Sequence, residues 1–186
     1  QDKVNNFKIP ILVGTVDRVI NEQGKKLYFN SALFMTPEKK YEIYSKMHLV
    51  PFAEYDLLPD FLHPLINLNL NIDRGVFIGG KTYKIFEWKN VKFANLICYE
   101  SSFARYARKF TNQGAQILMI QANDGWLGTS SGPYQHFSLA ILRAIENRVP
   151  IARSGNTGIS GIILPTGKVK QYKKIQSQAV FIEKIP

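Results

Sequence analysis

Residues 91–121, VKFANLICYESSFARYARKFTNQGAQILMIQ, constrain the fold more than any other stretch of the 186-residue chain. An apolar run at 91–98 gives way to residues 101–113, where Phe103, Tyr106, Ala107 and Phe110 share one face of a helix. Ser101 and Ser102 are good N-cap residues, and Gly114 is a good C-cap residue. A second apolar run follows at 116–121. Strand, helix and strand in that order form a βαβ unit, whose two strands run parallel. The chain is therefore of the α/β class. The unit also sets Cys98, the only cysteine, where the first strand ends and the helix begins. Backbone N–H groups of a helix start point at ligands there and favour a thiolate. Unreactive buried cysteines are also common, so position alone leaves the thiol's role open.

Short apolar or alternating runs at 9–15, 28–35, 149–154, 159–164 and 178–183 read as further strands. TPEKKYEIY (36–44) and LPTGKVKQY (164–172) read as hairpin turns between strands. IPILVG (9–14) reads as a buried strand with neighbours on both sides. Residues 134–147 carry apolar side chains on more than one helical face, which suits a helix held between layers. Apolar residues make up 45% and charged residues 20%, so the chain folds as one globular domain or a large part of one. A lone cysteine excludes an internal disulfide. The net charge of +10 comes from scattered Lys and Arg rather than a basic stripe interleaved with aromatics, so no nucleic-acid partner is expected. No run reaches the roughly 20 apolar residues of a membrane span. The opening QDKVNNFKIP lacks a signal-peptide pattern and reads as the middle of a longer protein.

Three segments carry a resemblance. SKMHLVPFAEY (45–55) groups Lys46, His48 and Glu54 around an apolar turn. ICYESSF (97–103) sets Cys98 beside Glu100. NDGWLGTSSGPYQHFSLAILRAIENRVPIARSGNTGIS (123–160) is long and idiosyncratic. With NSALF (30–34), they resemble the nitrilase-like (carbon-nitrogen hydrolase) domain of bacterial apolipoprotein N-acyltransferases, from about Gly14 through Gly167. Two departures are PFAE at 51–54, where the family usually shows PFGE, and GWLG at 125–128, where it usually shows GWFG. Neither removes a reactive group.

The resemblance implies a nitrilase-like αββα four-layer sandwich, with residues 1–186 forming an incomplete C-terminal portion. It implies Cys98 as nucleophile and Lys46 as its cationic partner. The family's general-base Glu lies upstream of anything like IPILVG, so it is expected to be missing here, together with an N-terminal transmembrane block. The same resemblance implies a phospholipid acyl donor, a thioester on Cys98, and the amine of a diacylated apolipoprotein as acceptor. It places the domain on the periplasmic side of a bacterial inner membrane. No metal or organic cofactor is called for, and His48, His63 and His136 show no metal-ligand spacing.

Several side chains keep two readings. Glu54 is either a solvated turn residue or a second carboxylate that positions Lys46. Glu100 either favours the helix start through the dipole or belongs to the catalytic shell. The backbone N–H of Tyr99 is a candidate oxyanion donor beside Lys46. Asn123 and Trp126 follow the strand at 116–121, either as a plain turn or as a wall over the thiol. His48 reads as structural, and Arg143, Glu146, Asn147 and Arg148 as scaffold. The apolar stretch 57–72 is either core or a loop that dips into a membrane interface. A soluble nitrilase-type amidase, with water as acceptor, is the alternative activity, and a non-catalytic binding domain is a third reading.

Overall fold

The computed structural model describes residues 8–51, 53–55 and 77–184. Strands β1 (Ile11–Ile20), β2 (Lys26–Met35) and β3 (Tyr41–Ser45) form an antiparallel three-stranded sheet in that order. The β1–β2 ladder runs from Ile11↔Met35 to Ile20↔Lys26. Its turn is closed by Asn21, whose Oδ1 accepts from Gln23 N–H and Lys25 N–H, and by Gly24 at a positive φ of 76°. The hairpin expected at 36–44 joins β2 to β3.

The second sheet has six strands: β4 (Phe86–Trp88), β5 (Val91–Ile97), β6 (Ile117–Ala122), β7 (Ile151–Gly155), β8 (Ser160–Ile163) and β9 (Val169–Lys173), neighbours in that order. β5, β6 and β7 are parallel, as the βαβ spacing requires. The helix within that unit is α1 (Ala104–Asn112), and α2 (Gly132–Asn147) connects β6 to β7.

From Phe93 to Ile97 every residue of β5 is buried, so the strand is covered on both faces. Phe93 meets Phe34 of β2 edge-on at 5.0 Å, which seats the three-stranded sheet on the six-stranded one. On the other side, Tyr106, Ala107 and Phe110 of α1, and Phe137, Ala140 and Ala144 of α2, join the same apolar core. Two sheets with an outer helical layer are three of the four layers of a nitrilase-like sandwich.

Three local expectations need correction. β1 is an edge strand among the described residues, with Val13, Val16, Val19 and Ile20 exposed, rather than a strand flanked on both sides. Residues 178–183 are not a strand. They are tethered by side chains instead, with Gln171 Nε2 donating to Ile182 O and Lys170 pairing with Glu183. The last strand is β9, immediately after the expected turn. The helix of the βαβ unit starts at Ala104, not Ser101, because Cys98–Ser102 first form a 3-10 turn in which the Ser101 hydroxyl donates to Cys98 O at 2.8 Å. The stretch 57–72 and His63 lie outside the described residues.

Candidate active site

Cys98 opens a short 3-10 turn, Cys98–Ser102, at the C-terminal end of β5. Its φ is +49°, in the left-handed region that a side chain disfavours. The strand's direction and this reversal turn a half-buried thiol into a cavity of about 760 Å³ between the sheets. Lys46, Glu54, Asn30, Gln121, Asn123 and Trp126 also line that cavity.

Lys46 follows β3 directly. Its backbone N–H donates to Asn30 O at 2.8 Å and its carbonyl accepts from Gly80 N–H at 2.7 Å, so the strand pairing continues through the lysine. Its side chain is fully buried, and Nζ donates to Glu54 Oε2 at 2.6 Å. Glu54 is held by Val50 N–H on Oε2 at 2.7 Å and by Asn30 Nδ2 on Oε1 at 2.7 Å. Both Glu54 oxygens are thus engaged before any ligand arrives. A buried ammonium needs such a partner to stay charged.

Glu100 does not line the cavity; it stands in the first turn of Cys98–Ser102 and takes the N–H of Ile97, which precedes that turn. It is fully buried beneath the turn. Oε1 accepts from Tyr44 OH at 2.8 Å, Met47 N–H at 2.7 Å and His48 N–H at 3.2 Å, and Oε2 accepts from Ile97 N–H at 2.9 Å. One carboxylate therefore ties the end of β5 to the segment just after Lys46. Burial pushes Glu100 above the usual carboxylate range, and the four donors act against that rise. His48 packs on the rings of Tyr99 and Phe103 and meets Arg105 through Nδ1. Burial, with the charges of Arg105 and Lys46, holds it below its ordinary value.

Burial pushes the Cys98 thiol upward as well, and the Asp124 carboxylate adds to this. The Lys46 ammonium, a hydrogen bond from the Asn123 backbone N–H and the Arg153 guanidinium pull it back down. Tyr99 presents its ring to His48 and Phe103 and lines a second, smaller cavity of about 220 Å³. Trp126, 62% exposed, stands between the two cavities and lines both.

Sequence reasoning missed a buried chain behind the thiol. His136 Nδ1 lies 2.8 Å from Asp124 Oδ1, and Arg153 Nη2 donates to Asp124 Oδ2 at 2.7 Å. Burial would raise Asp124, but the His136 hydrogen bond and the Arg153 charge outweigh it and hold the carboxyl below its usual range. The available signal was Arg153 itself, a charge inside the apolar run 149–154. Ligand atoms of Cys98, Asp124 and His136 lie within 4.8 Å of one another, close enough for a metal ion. The Asp124 and His136 atoms are already committed to each other, and a guanidinium abuts the group. The donor set therefore fits a hydrogen-bond chain better than a cation site.

A cysteine in a left-handed turn between strand and helix, opening on the same cavity as a buried lysine–glutamate pair, marks an α/β protein with a candidate active site at the thiol. The chain belongs to the carbon-nitrogen hydrolase family, which it matches over residues 1–178. Its relatives include apolipoprotein N-acyltransferase 2 of Treponema denticola, 38% identical over 186 residues, with 94% of this chain and 34% of that protein covered. The apolipoprotein N-acyltransferase of Geobacter metallireducens is 36% identical over 161 residues, covering 86% of this chain and 30% of that one. The chain thus spans about a third of the length of these relatives. Among solved structures, a carbon-nitrogen hydrolase from Helicobacter pylori superposes with a TM-score of 0.69 at 17% identity, covering 93% of this chain and 61% of that one. Nit3 of Saccharomyces cerevisiae, a nitrilase-superfamily member, gives a TM-score of 0.69 at 20% identity, with 95% and 60% covered. These establish the nitrilase-like fold. Among the described residues no helix is long and apolar enough to cross a membrane.

Proposed function

We propose that this chain carries the reacting centre of an apolipoprotein N-acyltransferase, with Cys98 as the nucleophile. The observation that carries the reading is the shared cavity: the Cys98 turn and the Lys46–Glu54 pair open onto the same space. In the first step the Cys98 thiolate attacks the ester carbonyl of a phospholipid. A C–S bond forms, the ester C–O bond breaks, and a lysophospholipid leaves with the proton taken from the thiol. In the second step the N-terminal amine of a diacylglyceryl-cysteine apolipoprotein attacks the thioester. An amide forms, the C–S bond breaks, and the thiol is restored.

Lys46 lowers the barrier to both ionisation and oxyanion formation, with the N–H groups of Asn123 and Tyr99 as further donors to the tetrahedral oxygen. Glu54 aims Lys46 through the hydrogen bond from Nζ to Oε2. The proton acceptor is a further carboxylate, in the position the family gives its general base. The site operates at the periplasmic face of the inner membrane, and the scattered positive charge of the chain suits an anionic lipid surface.

The test uses the longest reading frame that contains this chain, in membranes, with phospholipid labelled in its acyl chains. The parent forms a hydroxylamine-labile adduct on Cys98 and passes the label to a diacylated lipopeptide, while Cys98→Ala does neither. Equal labelling of parent and variant removes Cys98 from the mechanism. Label released as free fatty acid, with none on the lipopeptide, shows that the thioester is passed to water and favours a hydrolase.

A further inference from the structure

We propose that Asp124, His136 and Arg153 act as a clamp on the Cys98 backbone, holding it in the left-handed conformation that presents the sulfur to Lys46. The proposal starts from an asymmetry in the turn. Cys98 carries a side chain at φ +49°, where only glycine is at ease. Such a conformation persists when the surroundings over-determine it. Here they do so through one atom, the Cys98 carbonyl oxygen. Ser101 Oγ donates to it from 2.8 Å, and His136 Nε2 lies 3.0 Å away. The same His136 nitrogen is 2.8 Å from Ser101 Oγ, so the three groups close a small cycle. A carbonyl oxygen only accepts, so the His136 nitrogen facing it carries hydrogen.

His136 reaches the turn from α2, and its ring is aimed by what lies behind it. Nδ1 sits on Asp124 Oδ1, and Asp124 Oδ2 takes Arg153 Nη2. Arg153 Nε in turn donates to Ile159 O at 3.0 Å. The chain therefore runs from the β8 entrance through β7 and the loop after β6 to the turn after β5. Asp124 and Arg153 are almost completely buried, and His136 nearly so. Gly158 completes the seat, since a Cβ there would overlap the Asp124 carboxylate. A buried ion pair of this kind is weak evidence for stability but suits the fixing of one geometry. Asp124 and His136 line the smaller cavity and not the one that holds Lys46 and Glu54, so the clamp grips Cys98 from behind. These are positioning residues: His136 touches the backbone of Cys98, and Asp124 and Arg153 act through His136.

The inference rests on Cys98 being the reactive centre, but its test does not need turnover. Cys98 is the only thiol, so iodoacetamide reports on it alone. Alkylation rates are measured against pH for the parent, His136→Leu, His136→Gln, Ser101→Ala and Asp124→Asn, all checked for native circular dichroism. Arg143→Met serves as the control, because Arg143 is also buried on α2 but bonds Ser102 O and Glu146. Losing the clamp lets the sulfur move away from Lys46 and Asn123 N–H. His136→Leu then slows alkylation near neutral pH by a factor of about 5 or more and shifts the profile upward. His136→Gln, which keeps an N–H donor, restores part of the loss. If His136→Leu does not fold, Ser101→Ala carries the same expectation; Asp124→Asn also removes a carboxylate that raises the thiol, so its upward shift is smaller. Profiles that superimpose on the parent's, or an equal shift in Arg143→Met, overturn the clamp. A clamp signature without any acyl-thioester overturns the acyltransferase reading alone.

Discussion

Removing one buried hydroxyl tests whether Glu100 is the tie between the strand that ends at Cys98 and the segment after Lys46. In Tyr44→Phe, the lost donor is the one that reaches Glu100 Oε1 at 2.8 Å. A hydrogen bond to a charged group contributes about 1.5–3 kcal/mol net. The three backbone N–H groups on Glu100 remain, and so does the edge contact of residue 44 with Phe110 at a ring separation of 5.6 Å. Little space opens, and no donor is left unpaired. The expected cost is therefore about 2 kcal/mol, or roughly 4–8 °C in Tm for a chain of this length. The sign with pH follows from burial. Glu100 already sits above its ordinary value, and the Tyr44 bond works against that rise. Without the bond the folded-state value climbs further. An acid with a raised folded value loses stability as pH rises from its unfolded value through its folded one. The substitution therefore costs more at about pH 8 than at about pH 4.5, where the unfolded carboxyl is itself partly protonated. Urea unfolding at both pH values, followed by tryptophan fluorescence, measures this. A cost below about 0.5 kcal/mol at both, or a larger cost at the acidic one, refutes the assignment of Glu100 as an ionised tie.

Three further outcomes follow from the same geometry. Alkylation of Cys98 in the parent rises at higher pH than for a free thiol, because burial dominates, and Lys46→Met moves the rise higher still by removing the opposing charge; an unchanged profile in the variant shows that Lys46 does not act on the sulfur. Asp124→Asn lowers stability at neutral pH and flattens the acid limb: a carboxyl with a lowered folded value contributes stability that is lost as pH falls below its unfolded value, and an equally steep acid limb counts against the Arg153 and His136 pairing. Gly158→Ala forces Asp124 aside and destabilises by about 1–3 kcal/mol in chemical unfolding, whereas a neutral effect means that the carboxylate does not occupy that seat.

The βαβ unit was legible because two local signals, apolar run length and a one-faced helix, agreed with each other. Cys98 could be placed at a strand end for the same reason, and the cavity brings it together with Lys46. What stayed hidden was long-range. Nothing local says that Glu100 will bond Tyr44 across a separation of 56 residues or that His136 will turn back to the Cys98 carbonyl. Periodicity also failed where tertiary cover decides the outcome. Residues 178–183 alternate like a strand but find no ladder, and 16–20 carry Asp17 and Arg18 yet extend β1 because β2 is there to pair with. The Ser101–Ser102 cap signal misled because both serines are taken up in the 3-10 turn Cys98–Ser102, so the helix opens only after Phe103.

The two sheets are joined differently at their two ends. Near the middle, Phe34, Phe86 and Phe93 form a greasy contact that tolerates sliding. Toward the thiol, Asn95 Nδ2 donates to Gln121 Oε1 and Gln121 Nε2 donates to Leu12 O of β1, a directional latch. Gln121, which Asn95 holds in place, thus gives the layers a directional contact on the cavity side of Cys98 that the aromatic contact does not supply.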